Sequence, residues 1–140
     1  MIKIVNGEAV PMTAEEIAAA QPTFAQRQSN MRAALTTKRD AVQYGGMTFA
    51  GAPIATDTIS QGKIVGAALS ATRNPAYTVN WKAGGTFLAL DATAILALAD
   101  AVREFVQACY DREAALLAQI NAATSPEELF AIDIHTGWPE

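Results

Sequence analysis

One histidine and one cysteine, His135 and Cys109, are all this 140-residue chain has of the side chains that most often do acid–base, nucleophilic or zinc chemistry. A lone cysteine excludes an intramolecular disulfide and suits folding in a reducing cytoplasm. Gly45-Gly46 and Gly84-Gly85 precede no Lys-Ser/Thr pair and no G-x-G-x-x-G run, so they read as turns and not phosphate loops. No loop carries the spaced aspartates of a calcium site. Long apolar runs are missing as well. The ALDATAILALADAV stretch is broken by Asp91 and Asp100, short of the roughly 18 residues of a membrane span. MIKIVNGEAVPM is interrupted at Lys3 and again at Asn6, so it is no signal-peptide core. The chain is therefore expected to be soluble, unsecreted and without a membrane partner. Charged residues are also sparse, at 17%, against about a quarter in an average domain.

Positive charge thins along the chain. Residues 71–140 hold four Lys/Arg against nine Asp/Glu, a surplus that repels a phosphate backbone, and no basic stripe is interleaved with aromatics. Nucleic acid is not an expected partner. An apolar fraction of 51% is enough for one core, and the Ala-rich, charge-poor surface points to contact with another subunit.

The pattern along the chain predicts an α+β fold. Ile2 and Ile4 alternate with Lys3, and Asn6-Gly7 supplies a tight turn, giving an N-terminal arm or hairpin over Met1–Met12 that needs a host to pack on. Thr13 and Glu16 form a capping box, Pro22 interrupts the helix they start, and a second helix is expected from about Thr23 to Gln43. Phe24, Met31, Leu35, Lys38 and Val42 recur there at seven, four, three and four. That spacing suits a coiled-coil strand, and it equally suits packing on the chain's own domain. Two short strands fall in Met47–Asp57, and Thr58 with Gln61 is expected to cap a helix over about Ile59–Thr72 with Ile64, Ala68 and Thr72 inward. A β-hairpin spans 77–90, with Tyr77, Val79 and Trp81 on its core face. Asp91 caps a long helix over about 92–121 whose apolar seam runs through Ile95, Leu98, Val102, Phe105, Cys109, Leu116 and Ile120. At 1.5 Å per residue it reaches roughly 45 Å, so it is expected to project from the body or lie along a neighbour. Ser125-Pro126-Glu127-Glu128 starts a short last helix, followed by an extended, mobile tail. Residues 1–46 are thus expected to be an attachment or oligomerisation segment and 47–140 an α+β domain.

No residue set suggests catalysis, a cofactor or a metal. His135 sits near the chain end and reads as a solvated tail residue; Cys109 falls on the long helix's apolar seam and reads as core. Asp100, Glu104 and Asp111 line one helix edge beside Arg103 and Arg112, where ordinary helix pairing accounts for them, and Asp91 and Glu113 add no ligand pattern. Trp81 reads as core. The candidate interface is Phe24, Met31, Leu35 and Val42 on the second helix, with Trp138 in the tail.

Several ordered features also carry a resemblance: Thr56-Asp57-Thr58-Ile59-Ser60-Gln61, the Tyr77–Trp81 strand, Leu90-Asp91-Ala92, Val106–Ile120 and the closing AIDI..GWP. Over about residues 47–139 the chain resembles an uncharacterised domain family of tailed bacteriophages and prophages, encoded among tail, tail-fibre and baseplate genes. NGEAVPMTAEE is similar to the openings of small phage tail and fibre-assembly proteins. The resemblance implies a homo-oligomeric structural protein of the virion tail, made in the host cytoplasm, that contacts other tail or fibre proteins. It implies no reaction and no catalytic residue. A tail-fibre assembly chaperone that leaves before maturation is the alternative, and a small tail-associated hydrolase is a distant third.

Overall fold

The computed structural model describes residues 1–140 and shows an α+β fold built on one helix. In chain order the elements are β1 (Ile2–Val5), β2 (Glu8–Pro11), α1 (Ala14–Ala20), α2 (Phe24–Gln43), β3 (Met47–Phe49), β4 (Ala52–Ile54), α3 (Thr58–Arg73), β5 (Thr78–Ala83), β6 (Thr86–Asp91), α4 (Ala92–Ala122) and α5 (Pro126–Phe130). The strands form three separate antiparallel hairpins and no larger sheet. Left-handed backbone at Asn6 and Gly7, and again at Ala50 and Gly51, gives the first two hairpins tight turns whose twist matches their strands. In the third, Val79 lies opposite Leu90 and Trp81 opposite Leu88, and the Gly84-Gly85 turn rests on Pro53 of β4.

α4 is a spine, and its seam is buried from Ile95 to Ile120. Its first half shares a core with α3, β4 and the β5–β6 hairpin, centred on Ile54, Ile64, Leu90, Ile95 and Leu98. Its second half shares a smaller core with α2, α5 and the tail, centred on Leu35, Leu116, Ile120, Leu129 and Ile134. The long helix therefore does not project as expected: the far half is covered by the segment that leads into the domain and the segment that leaves it. The expected boundary at residue 46 separates no core, because Leu35 of α2 packs with Leu116 of α4. A buried Thr56 hydroxyl strengthens this link, donating to the Gln43 carbonyl (2.7 Å) and accepting from the Gly46 N–H (2.9 Å).

The caps follow the sequence with one shift. Thr13 and Thr23 each form a reciprocal capping box, with Glu16 and Gln26 respectively. At α3 the cap is Asp57 and not Thr58: the Asp57 carboxylate accepts from the Ser60 N–H (3.0 Å) and from the Ser60 hydroxyl (2.6 Å). The inward line of α3 is Ile64, Ala67 and Ala71, while Ala68 is half-buried and Thr72 exposed. A strict four-residue step drifts off a helix that turns every 3.6 residues, so alternating threes and fours stay on the core.

Four carboxylates are held below their usual range by these local bonds. For Glu16 the leading cause is Lys3, for Asp57 the Ser60 hydroxyl, for Glu128 the Thr124 N–H and for Asp133 the Thr136 hydroxyl. A lowered folded-state value stabilises the fold fully above the unfolded value, near pH 4, and is lost as pH falls through the folded one. The urea midpoint is therefore expected to be flat from pH 7 to about 5 and to fall below it. Asp57→Asn should shrink that fall, which equilibrium unfolding at stepped pH will show.

Candidate functional site

The residues proposed from sequence as an interface are mostly spent inside the chain. Leu35 is buried, and Phe24, Met31 and Trp138 are half-buried against the core made by Leu116, Ile120 and Leu129. Val42 is half-buried at the end of α2. Of the two readings the spacing allowed, packing on the chain's own domain describes this seam: the apolar line of α2 meets α4, α5 and the tail. The physical reason is α4 itself, whose second half presents an apolar face that only α2 and the tail are placed to cover.

Between the two apolar cores lies a polar joint that the sequence reading missed. Arg39 of α2 donates from Nε to Glu113 of α4 (2.6 Å) and from Nη1 to Asp40 (2.6 Å) and Gln43 (2.9 Å). Its guanidinium lies 4.6 Å from the centroid of the Tyr110 ring, and Thr36 donates to the other Glu113 oxygen. Burial works against the Arg39 charge, yet the hydrogen bond and charge of Glu113 outweigh it and raise its affinity for the proton. The i, i+4 relation of Arg39 and Gln43 was legible in the sequence, but a pairing 74 residues apart was not. Cys109 lies beside this joint, fully buried, and burial pushes its thiol up and away from reactivity.

The tail, expected to be extended, folds back onto the body and is tied there by hydrogen bonds. Arg112 Nη2 donates to the Thr136 carbonyl and Trp138 Nε1 to the Ile134 carbonyl, each at 2.9 Å, while Asp133 accepts from the His135 N–H. His135 itself is exposed, as the sequence suggested. Gly137 has φ +77° and lies so close over Arg112 that a Cβ would sit 3.0 Å from its guanidinium. Gly137→Ala is expected to cost about 2 kcal/mol from left-handed strain and the displaced Arg112, with hydrogen exchange at Ile134 and Trp138 accelerating more than in α3.

Exposed apolar side chains concentrate elsewhere, in the N-terminal arm. Met1, Ile2, Ile4 and Val5 are 68%, 64%, 67% and 44% exposed, and α1 buries no residue at all. The hairpin pairs only with itself, and an ion pair from Lys3 to Glu16 ties it to α1. The host sheet that such a hairpin requires is not supplied by its own chain. A second exposed set, Ile59, Val65 and Leu69, lies on α3, and Val65 also lines a groove of about 470 Å³ between α3 and α4. No group of three or more His, Cys, Asp or Glu side chains converges on a point that could hold a metal ion.

No curated protein and no solved structure matches the chain. One family model does: a domain of unknown function (DUF4376) matches residues 25–135, from the start of α2 to the tail, and leaves β1, β2 and α1 outside the match.

Proposed function

Since the chain belongs to the DUF4376 family, a domain of unknown function, we propose from its surface and its phage-like motifs that it is a structural component of a bacteriophage tail. It acts at a fibre, baseplate or tail-tip position through protein–protein contacts and carries out no reaction. The observation that carries this reading is the N-terminal arm, whose four exposed apolar side chains lie on a hairpin without a host and outside the family-matched residues. An isolated two-stranded hairpin is marginal in water, so a partner surface that buries Ile2 and Ile4 completes it. The resemblance of the 47–139 segment to phage tail-gene domains supplies the setting, and the partners it implies are other tail or fibre proteins and further copies of the chain. The negative second half argues against nucleic acid as a partner, and no helix is long and apolar enough to cross a membrane.

The α3–α4 groove, which exposed Val65 lines, favours a second reading, an assembly chaperone that holds a nascent fibre chain and is not retained. Mass spectrometry of density-purified particles separates the two. Under the first reading the protein is present at a stoichiometry matching a tail ring or fibre. The double variant Ile2→Lys, Ile4→Lys should keep its circular dichroism and melting temperature, because these side chains support no core, and yet lose incorporation. A protein abundant in lysate but missing from particles moves the chaperone reading to first place. A monomer found in neither particles nor fibre complexes ends both.

A further inference from the structure

Along β5 lies a groove of about 660 Å³ whose other wall is α3. It is lined by residues from both faces of the strand: Tyr77 and Trp81 from the face turned to the core, Asn80 and Lys82 from the other. Only a groove that follows the strand's edge brings both faces together. β5 pairs with β6 alone, so the edge along this groove has no hydrogen-bonded strand partner. The strand of six residues is roughly 20 Å long, and α3 runs beside it through Lys63 and Gly66.

Charge gives the groove a preference. Lys63 and Lys82 line it, no carboxylate does, and neither lysine takes part in an ion pair. The chain as a whole has a net charge of −4. In two other grooves that contain a cation, Arg27 is accompanied by Asp133 and Arg103 by Asp100. Gly66 also lines the groove, and a Cβ built on it meets nothing within 4 Å, so a larger side chain there would extend into open space.

The geometry points to a peptide-binding site: an extended acidic segment of a partner protein adds as a third strand along β5, in the channel between β5 and α3. Main-chain hydrogen bonds to the β5 edge hold the peptide backbone. Lys63 and Lys82 select carboxylate side chains, and the half-buried rings of Tyr77 and Trp81 take an apolar residue between them. The lysine that repels a second β5 edge attracts an acidic strand. This site is separate from the N-terminal arm and does not depend on the tail reading.

The test uses the full chain and a capped alternating Glu-Val peptide, titrated by calorimetry, with the site mapped by amide NMR shifts. Binding is expected to shift the amides of β5 and α3, to weaken about tenfold in Lys63→Gln and in Lys82→Gln, and to fall as salt rises. Gly66→Leu fills the channel while placing a good helix former in α3, so it should abolish binding without lowering the melting temperature. A Glu-Val peptide with a central proline, which lacks an N–H for the ladder, should bind much more weakly. The proposal is overturned if the Glu-Val peptide does not bind, if an alternating Lys-Val peptide binds as well, or if the proline peptide binds equally. It is also overturned if Gly66→Leu binds normally, or if an oligogalacturonate occupies the groove more tightly, which would make it a site for acidic sugars.

Discussion

Glu113→Ala is expected to lower the unfolding free energy by about 3 kcal/mol, far more than a surface ion pair could cost. The reason is position. Arg39 and Glu113 keep only 12% and 17% of their side-chain surface exposed, and they lie between two apolar cores where water replaces the lost carboxylate only in part. Removing Glu113 leaves the Arg39 Nε donor unpaired and the Thr36 hydroxyl without its acceptor, while the bonds to Asp40 and Gln43 stay within α2. Arg39→Met should cost less, because an apolar side chain of similar length covers Tyr110 and leaves no buried cation. The double variant should then be more stable than Glu113→Ala alone. A double-mutant cycle in urea measures this, and additive losses would mean that the joint contributes nothing beyond its two separate side chains.

Leu116→Ala carries the second large effect, about 3 kcal/mol for a fully buried leucine whose site is walled by a rigid helix. Its pattern is as informative as its size. Leu116 lies in one cluster with Leu35 of α2, Leu129 of α5 and Ile134 of the tail. Native-state hydrogen exchange should therefore show α2 and the tail losing protection together with the second half of α4, while the core around Leu98 and Ile64 is disturbed less. If α2 belonged to an independent segment ending at residue 46, its amides would be indifferent to this substitution. The contrast decides between one body and two.

The elements of this fold were largely legible from local signals. Thr13 with Glu16, the Pro22 break, the Gly-containing turns, Asp91 and Ser125 each act through a hydrogen bond or a dihedral angle only a few residues away, so their effect is written in neighbouring letters. The heptad-like seam of α2 was equally visible, but an apolar stripe states only that something covers it. Whether the cover is another chain or α4 depends on how the chain returns on itself, and the contact from Leu35 to Leu116 crosses most of its length. Arg112 and Glu113 show the same limit. As letters they sit beside Asp111 and look like one more charged helix edge, yet one secures the tail at Thr136 and the other the α2 joint.

The sequence by itself therefore determined the identity and ends of most elements, the burial of the α4 seam and the sparseness of reactive side chains, because each depends on residue type and short-range periodicity. Only the tertiary structure decided that α2 and the tail complete the domain, that a polar joint separates two cores, and that a lysine-lined channel follows the open edge of β5. Those features come from meetings between residues distant in the chain, and periodicity can say that a face must be covered without saying which face will cover it.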